Sequence, residues 1–407
     1  MRVVMVGNGP AAIRAIEAIH EMGDTCEITV LSPEPEQAYT PCFLSKYVAG
    51  SIGMPELVIR PADFYERHGV DFRGGAEVRT VAAEEHAVIL TDGSRVAYDR
   101  LLLACGALPV IPRTTDLSGQ GIAVFRTLAD ARSIVEQIPG VRHAIVLGSG
   151  FVAAEIAEAL TEAGVRTSMV ARKTRILRRI FDGEVADMVE AHMAANGVEF
   201  LKEREFTGIE RDEQGRLSAI IFDGGEKVSC DFMVLAVGMR PNLDSVRGTS
   251  IASDYGILVD AGMRTSETDV YAAGDVAEVE INGVRKTNLI HPNAVATGAI
   301  AGYNMVGADK AMPSHISDMN VLNVFGRSFL STGSLEGVRT MATRTDSGGL
   351  TELFIGEDET IVGAQLVGDV SRGGLYASLI MRRTPVDEVP ELLSEHFNYA
   401  HTVGRLP

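Results

Sequence analysis

The sequence predicts an α/β chain that contains two Rossmann-like dinucleotide-binding domains and a small C-terminal α+β domain. Two glycine-rich turns, GNGPAA at residues 7–12 and GSGFVA at residues 148–153, each follow an apolar run typical of a buried strand. Glycines at these spacings allow a tight strand-to-helix turn and let a pyrophosphate approach the backbone. The helix start then supplies N–H donors and a partial positive charge. Two such turns favour two bound dinucleotides over ordinary strand-to-helix turns.

The predicted elements repeat a strand–helix–strand order around both turns. Around the first turn, residues 3–6 form a strand, a helix runs from Pro10 to about Met22, and a strand covers Ile28 to Leu31. The later predicted elements are helix 127–138, strand 143–147, helix 151–163, strand 166–171, strand 232–237, short strands within 256–275 and a strand over 361–367.

This order predicts one nucleotide-binding domain that is interrupted by a second. The first domain takes residues 1–112 and 241–312, the second takes 113–240, and 313–407 form a C-terminal domain of the interface or dimerisation type. The segment Glu395–Tyr399 near the end could be a docking tail or a domain cap. No chemistry is assigned to it.

Composition excludes several classes of protein. The 407 residues are 46% apolar and 23% charged, and no apolar run is long enough to span a membrane. A net charge of −18 is unfavourable for binding nucleic acid or anionic membranes. Four cysteines without a CxxC motif or metal-ligand spacing predict a reducing, cytoplasmic setting and no metal site. Arg2 leads directly into the first strand, so no signal peptide is expected.

Three further segments carry a family resemblance: LACGALP at 103–109, AVGMRPN at 236–242 and TDVYAAGD at 268–275. Together with the glycine turns, they resemble the FAD- and NAD(P)-dependent pyridine nucleotide-disulfide oxidoreductase superfamily over most of residues 1–305. The resemblance implies a glutathione-reductase-like fold with FAD in the first domain and NAD(H) or NADP(H) in the second. It assigns to FAD the residues Gly7, Gly9, Pro10, Ala11, Ala12, Glu34, Ser45, Lys46, Cys105, Gly106, Gly274, Asp275, His291, Asn293 and Ala294. It assigns to the nicotinamide coenzyme Gly148, Gly150, Phe151, Val152, Glu155, Arg172, Lys173 and Gly238.

Two carboxylates are expected to bind sugar hydroxyls of FAD. Asp275 ends the third resembling segment, where the family aspartate holds the ribityl chain through a charge-assisted hydrogen bond. A turn-forming Gly-Asp pair is the plain alternative. In the flavin half, Ser32 stands where the family usually has a glutamate, so Glu34 is the candidate for the adenosine ribose.

The second half leaves the choice of coenzyme open. NAD-specific relatives usually carry an acidic residue where this chain has Ala171. Arg172, Lys173 and Arg175 follow, and they could receive the 2′-phosphate of NADPH. A solvated basic loop explains the same residues equally well.

The segment AYTPCFLSK at 38–46 resembles two branches of the superfamily. Leu44-Ser45-Lys46 is similar to the ferredoxin- and rubredoxin-reductase type, in which the lysine lies near flavin N5. Cys42 falls where coenzyme A disulfide reductases and NADH oxidases keep a single redox cysteine. Packing is the other reading of Cys42, since a buried thiol is inert. The CxxxxC pair of glutathione reductase is absent, and Pro10 replaces the histidine of NADH peroxidases.

Two further groups are expected near the flavin. Glu155 matches a family glutamate at the nicotinamide edge of the ring, and we hypothesise that it forms an ion pair with Lys46. A helix that starts at Asn293 would point its N-terminus at the flavin pyrimidine and stabilise negative charge there. His291 stands where an aromatic residue is frequent, although a lone histidine is more often structural.

These features predict an FAD-dependent NAD(P)H oxidoreductase that exchanges electrons with a protein partner, such as ferredoxin, rubredoxin or the metal-bearing subunits of a larger complex. The partner reading rests on Leu44-Ser45-Lys46, the missing dithiol and the acidic charge. One alternative is a small-molecule disulfide, polysulfide or oxygen reductase that uses Cys42. Another is a non-catalytic flavoprotein whose redox state controls binding. A homo- or hetero-oligomer is expected.

Overall fold

The computed structural model describes residues 1–23, 25–281, 284–287, 289–313, 318–389, 391–394 and 397–398. Its helices are α1 (Pro10–Glu21), α2 (Leu44–Val48), α3 (Met54–Leu57), α4 (Phe64–Arg67), α5 (Leu128–Gln137), α6 (Phe151–Glu162), α7 (Gly183–Ala195), α8 (His291–Met305) and α9 (Gly373–Met381). The predicted docking tail or domain cap, Glu395–Tyr399, falls largely outside the described residues, because 395, 396 and 399 are not among them.

The strands in the first part of the chain are β1 (Arg2–Val6), β2 (Glu27–Ser32), β3 (Val70–Gly74), β4 (Val78–Ala82), β5 (Ala87–Leu90), β6 (Arg95–Ala97), β7 (Arg100–Leu103) and β8 (Ala107–Pro109). Those of the second part are β9 (Ile122–Val124), β10 (His143–Leu147), β11 (Arg166–Ala171), β12 (Val198–Lys202), β13 (Phe206–Arg211), β14 (Leu217–Phe222), β15 (Lys227–Ser229) and β16 (Phe232–Leu235). The chain continues with β17 (Met239–Pro241), β18 (Ile257–Val259), β19 (Val270–Ala272), β20 (Ala277–Ile281), β21 (Val284–Lys286), β22 (Asn320–Val324), β23 (Arg327–Gly333), β24 (Arg339–Arg344), β25 (Leu350–Ile355) and β26 (Ile361–Val367).

The chain folds as two compact units. The first takes Met1–Tyr47, Ile52–Pro109 and Met239–Ile316, and the second takes Val48–Ser51, Val110–Gly238 and Ser317–Pro407. Residues 52–109 and 239–316 thus fold together although a long insertion separates them. The predicted boundaries of the three domains stay predictions.

The first unit is built on a parallel sheet in the order β19-β7-β1-β2-β3. Helices α1 and α8 pack closely beside it, because a Cβ atom on Gly298 would lie 2.2 Å from the carbonyl oxygen of Ala11. The central strands are buried on both faces, with Val3 to Met5 no more than 1% exposed. This arrangement brings the starts of α1 and α8 to the same edge of the sheet.

The second unit contains another parallel sheet, in the order β12-β11-β10-β16-β9, with the antiparallel sheet β13-β14-β15 packed on it. It also contains the antiparallel sheet β22-β23-β26-β25-β24, whose core lies between one face and helix α9. The predicted fold class is therefore confirmed: two Rossmann-like sheets and a C-terminal α+β region. Strand β16 ends at Leu235, two residues before its predicted end.

Candidate functional site

The first glycine turn joins β1 to α1. Gly7 has φ +108, and a Cβ atom on it would lie 2.2 Å from the carbonyl oxygen of Ala104, so only glycine fits there. Gly9 is the N-cap of α1 and offers no side-chain hydrogen bond to the helix start. Pro10 is in the first turn, where its missing N–H has no cost, and no acidic residue lies in that turn. Ala11 and Ala12 are buried against the sheet.

The second glycine turn repeats this geometry between β10 and α6. Gly148 has φ +149, and its Cβ atom would lie 2.1 Å from the carbonyl oxygen of Ala236. Gly150 is the N-cap of α6, again without a side-chain hydrogen bond, and Phe151 and Val152 begin the helix half-buried.

Both turns fit a dinucleotide. Apart from adjacent parts of the chain, no described residue has an atom within 4 Å of the position that a Cβ would take on Gly9 or Gly150. The uncapped helix starts leave N–H groups without an intrahelical acceptor, and these groups favour an anion. Each turn lies at the carboxyl end of the central strand, beside the point where the strand order reverses, which is where ligands bind in open α/β sheets.

Glu34 lies two residues beyond β2 and is held by a neighbouring side chain. The hydroxyl of Tyr39 donates a 2.6 Å hydrogen bond to Oε2 of Glu34, and the backbone N–H of Glu34 donates to Oγ of Ser32. The carboxylate is thereby fixed near the first glycine turn, since β2 pairs directly with β1. Its proposed contact with the adenosine ribose stays a prediction.

Asp275 lies in a short 3-10 turn directly after β19, between α1 and α8. The backbone N–H of Gly274 donates a 2.9 Å hydrogen bond to Oγ1 of Thr297 on α8. A Cβ on Gly274 would lie 3.1 Å from the Cβ of Ala11 and 3.7 Å from that of Ala294. The family aspartate position, the first helix start and α8 therefore meet in one place.

Helix α8 begins at His291, two residues before the predicted start at Asn293. Pro292 is accommodated in the first turn, which explains the earlier start. Asn293 is 5% exposed, and its carbonyl accepts a hydrogen bond from Thr297. Partial burial lowers the pKa of the His291 imidazole, and the Asp275 carboxylate opposes this shift.

The segment that holds Cys42 and Lys46 forms a 3-10 turn and then α2. Cys42 and Phe43 are exposed, and the redox role of Cys42 stays a prediction. Nζ of Lys46 lies 5.1 Å from the centre of the Phe43 ring in a cation–π contact. Ser45 is buried. Glu155 is half-buried on α6 and belongs to the second unit, so its hypothesised ion pair with Lys46 stays a prediction.

Cys105 and Gly106 follow β7 and are hydrogen-bonded to Asn242, the residue directly after β17. The Sγ of Cys105 donates to the carbonyl of Asn242, and the N–H of Asn242 donates to the carbonyl of Gly106. Burial raises the pKa of the Cys105 thiol to about 12. Gly238, on the nicotinamide side, accepts a backbone hydrogen bond from Val110.

The loop after β11 folds back over the second glycine turn. The backbone N–H of Leu177 donates a 2.8 Å hydrogen bond to the carbonyl of Ser149. Arg172 and Lys173 are exposed at the end of β11, and Arg178 is exposed directly after Leu177. Among the described residues these three cations form no ion pair, whereas Nε of Arg175 lies 2.8 Å from Asp187. Arg178 was not among the predicted coenzyme residues, and only the spacing of basic residues along the loop could have indicated it.

Among the described residues, no group of three or more His, Cys, Asp or Glu side chains could hold a metal ion. No helix in that part of the chain is both long enough and apolar enough to cross a membrane.

A family model described as "Pyridine nucleotide-disulphide oxidoreductase" matches residues 1–298. The chain belongs to this family. The match covers both glycine turns and the Gly274-Asp275 segment, and it confirms the resemblance that the sequence motifs carry. The protein is accordingly an FAD-dependent oxidoreductase that uses NAD(P)H.

Individual relatives show the same relationship over nearly the whole chain. Subunit epsilon of the NADH-dependent phenylglyoxylate dehydrogenase of Aromatoleum evansii is 30% identical over 391 residues, 94% of this chain and 92% of the relative. The chain spans about half the length of two further relatives, both from Bacillus subtilis: 49% of an assimilatory nitrate reductase electron transfer subunit and 48% of a nitrite reductase.

Two solved structures share the fold. The putidaredoxin reductase–putidaredoxin complex superposes with a TM-score of 0.86 at 22% identity, over 94% of both chains. An engineered water-forming NADPH oxidase bound to NADPH, derived from the Lactobacillus brevis enzyme, gives a TM-score of 0.87 at 23% identity over 100% of this chain and 98% of the other.

Proposed function

We propose that this protein takes reducing equivalents from NADPH and passes them to a redox protein or to a partner subunit of a larger complex. The observation that carries the proposal is the spacing of the four cysteines, at positions 26, 42, 105 and 230, which offers no CxxxxC pair. Burial raises the pKa values of the Cys105 and Cys230 thiols to about 12, which keeps both protonated and inert. An internal dithiol relay of the glutathione-reductase type has no residues here.

The names of the relatives support a protein acceptor. One relative is a dehydrogenase subunit, one is an electron transfer subunit, and one neighbour is a reductase in complex with putidaredoxin. FAD, when bound, supplies the step between two-electron chemistry at nicotinamide and one-electron chemistry at such an acceptor.

The chain's own residues position and stabilise the cofactor. The start of α8, at His291 and Asn293, presents the positive end of a helix to the flavin side of the first unit. Lys46 supplies a further positive charge, and Asp275 and Glu34 hold sugar hydroxyls. Glu155 would order the nicotinamide edge of the site.

The choice of NADPH rests on the residues beyond β11. In the engineered NADPH oxidase, an alanine replaces a glycine, and 18 residues later an alanine replaces an aspartate and is followed by an introduced arginine. In this chain Ala153 ends the glycine turn, Ala171 lies 18 residues later, and Arg172 follows. The last introduced arginine lies 25 residues after the first substitution, as Arg178 lies after Ala153. One position differs, because Lys173 stands where the engineered enzyme has serine.

The geometry of the loop supports the same choice. Leu177 ties the loop that carries Arg172 and Arg178 to Ser149 of the glycine turn, and we propose that the adenosine ribose binds beside this loop. Two guanidinium groups suit a 2′-phosphate, and no carboxylate at position 171 competes with it. The name of the Aromatoleum evansii relative states NADH dependence, so on this proposal the two proteins differ in the coenzyme they use.

The coenzyme proposal is tested with single variants and a matched control from the same loop. Arg172→Ala and Arg178→Ala should each lower kcat/KM for NADPH about tenfold and leave kcat/KM for NADH nearly unchanged, since each removes a charged contact to the phosphate. Arg175→Ala is the control, because that guanidinium is held by Asp187. A protein that prefers NADH, or equal losses in all three variants, would contradict the proposal.

A second candidate function uses Cys42, and its exposed side chain is the observation that favours it. The protein would then reduce a disulfide, polysulfide or oxygen through this thiol. Anaerobic titration of the holoenzyme separates the two functions. Bleaching of the flavin band with ~1 equivalent of NADPH means that flavin is the sole two-electron centre. Consumption of ~2 equivalents, reduced to ~1 by Cys42→Ser, would move the assignment to the small-molecule reductase.

A further inference from the structure

The loop of residues 172–182, here the coenzyme loop, is held at two points. The first is the hydrogen bond from Leu177 to Ser149, at the glycine turn. Leu177 has φ +52, a backbone conformation that non-glycine residues adopt rarely. A strained residue of this kind keeps its conformation only when its surroundings hold it. The conformation of Leu177 therefore depends on the second point at which the loop is held.

The second point lies in the C-terminal sheet. Phe181, 2% exposed, packs edge-on between two other rings: its centre is 6.1 Å from that of Phe151 and 6.4 Å from that of Phe329. Phe151 is the first residue of α6, directly after the glycine turn, whereas Phe329 is fully buried in β23. The three rings form a continuous contact from the coenzyme turn to the C-terminal sheet.

A hydrogen-bonded contact lies beside the rings. The backbone N–H of Asp182 donates a 2.9 Å hydrogen bond to Oε1 of Gln365, which is fully buried in β26. Nε2 of Gln365 donates to Oε2 of Glu352 on the next strand, which fixes the amide orientation. Oδ1 of Asp182 accepts from the N–H of Val185 and so caps helix α7. The end of the coenzyme loop is thus bound to two strands of the C-terminal sheet.

We infer that Phe329 and Gln365 are positioning residues for the coenzyme, although both lie in the C-terminal sheet. They hold Phe181 and Asp182, which fix the loop that carries Arg172, Lys173 and Arg178 over the glycine turn. The inference rests on the proposed function, because it takes this loop as the 2′-phosphate site. It gives the C-terminal region a part in coenzyme binding that none of the predicted site residues had indicated.

The test compares Phe329→Leu and Gln365→Met with a matched control, Tyr376→Leu. Tyr376 is fully buried in the core under α9, on the opposite face of the sheet from the coenzyme loop. Two quantities are measured on the oxidised holoenzyme: the Kd for NADP⁺ by calorimetry, and the rate of tryptic cleavage within the loop. The loop offers five exposed cleavage sites, at Arg172, Lys173, Arg175, Arg178 and Arg179.

Both test variants should weaken NADP⁺ binding about threefold to thirtyfold, the range for residues that act through their neighbours. Both should also speed cleavage in the loop, while Tyr376→Leu changes neither quantity by more than about twofold. Gln365→Met keeps side-chain volume, so it remains informative if Phe329→Leu fails to fold. Test variants with a native flavin spectrum and unchanged Kd and cleavage would overturn the inference, as would equal effects in the control.

Failure of the proposed coenzyme is recognised separately. If Arg172→Ala and Arg178→Ala leave the Kd for NADP⁺ unchanged, the loop is not a phosphate site. The cleavage rates of Phe329→Leu and Gln365→Met then still report whether the C-terminal sheet anchors the loop.

Discussion

The carbonyl oxygen of Ala236 lies 2.1 Å from the point where a Cβ atom would stand on Gly148. The same relationship joins Ala104 to Gly7 at 2.2 Å in the first unit. In each case the carbonyl belongs to the first residue after the neighbouring parallel strand. Glycine is required by the protein's own backbone at these two positions, whereas Gly9 and Gly150 leave space for a ligand.

Gly148→Ala should therefore destabilise the second unit without any coenzyme present. The added methyl group meets backbone atoms and a positive φ, and the free energy of unfolding should fall by about 1–3 kcal/mol. Gly150→Ala should change stability by less than about 0.5 kcal/mol, since no described atom opposes it, yet weaken NADP⁺ binding. Thermal unfolding and calorimetric titration of both variants check this. Similar stability losses in the two variants would contradict the assignment of separate roles.

Ala171→Asp should turn coenzyme preference toward NADH. An aspartate there repels a 2′-phosphate and can accept hydrogen bonds from the ribose hydroxyls, so kcat/KM for NADPH should fall about tenfold or more. Thr174→Asp adds the same charge to an exposed position of the same loop and serves as the control. Steady-state kinetics with both coenzymes test this prediction. The same change of kcat/KM in both variants would indicate a general effect of added charge and contradict a specific role for position 171.

Glu352 should make the stability of the second unit depend on pH. Burial, with the charges of Asp182 and Glu184, raises the pKa of this carboxyl above its ordinary value of 4.5. The folded state therefore binds the Glu352 proton more tightly than the unfolded state does. The stability that this proton contributes is fully present below pH 4.5 and is lost as pH rises through the raised pKa. Glu352→Gln should gain in Tm relative to the unchanged protein as pH rises from about 4.5 to 8.

A control of opposite sign is available in the turn between β25 and β26. Arg339 lowers the pKa of the exposed Glu359 carboxyl, so the stability that the ionised carboxylate contributes is lost as pH falls. Glu359→Gln should therefore lower Tm relative to the unchanged protein at high pH and leave Tm unchanged at low pH, measured by the same thermal unfolding experiments. Parallel pH profiles for the two variants would show that burial of Glu352 has no such effect.

Cys42 should be the thiol that reacts first with iodoacetamide in the folded protein. It is exposed, whereas burial raises the pKa values of the Cys105 and Cys230 thiols to about 12 and keeps them protonated. Mass spectrometry of tryptic fragments before and after unfolding checks the order, and Cys42→Ser removes the fast phase. Early labelling at Cys105 would contradict the description of its surroundings.

Much of the fold is predictable because each glycine turn fixes a strand before it and a helix after it. Helix α6, Phe151–Glu162, differs from its predicted end by one residue, and β10 and β11 match their predicted ranges. Helix α7 lies outside the predicted elements, although Asp182 caps it. Its alanine-rich sequence gives little periodic contrast between faces. The antiparallel sheet β13-β14-β15 is also unpredicted, because its strands pair through tertiary packing rather than a strong local pattern.

The site is less predictable than the fold. Sequence motifs predict Gly7, Gly148 and Asp275. The position of Arg178, by contrast, depends on the positive φ of Leu177, which the sequence does not predict. The contact between Phe181 and Phe329 joins residues nearly 150 positions apart. Such pairings arise from the packing of whole elements and carry no local signal.

The two glycine turns solve the same steric problem in the same way, yet the loops beyond their second strands differ: one carries Glu34 and the other Arg172. At each turn the steric demand for glycine comes from a neighbouring strand of the same unit and not from the segment beyond the second strand. The segment beyond β2 or β11 can therefore change without disturbing the turn, and the differences between the two units collect in these loops rather than in the buried contact.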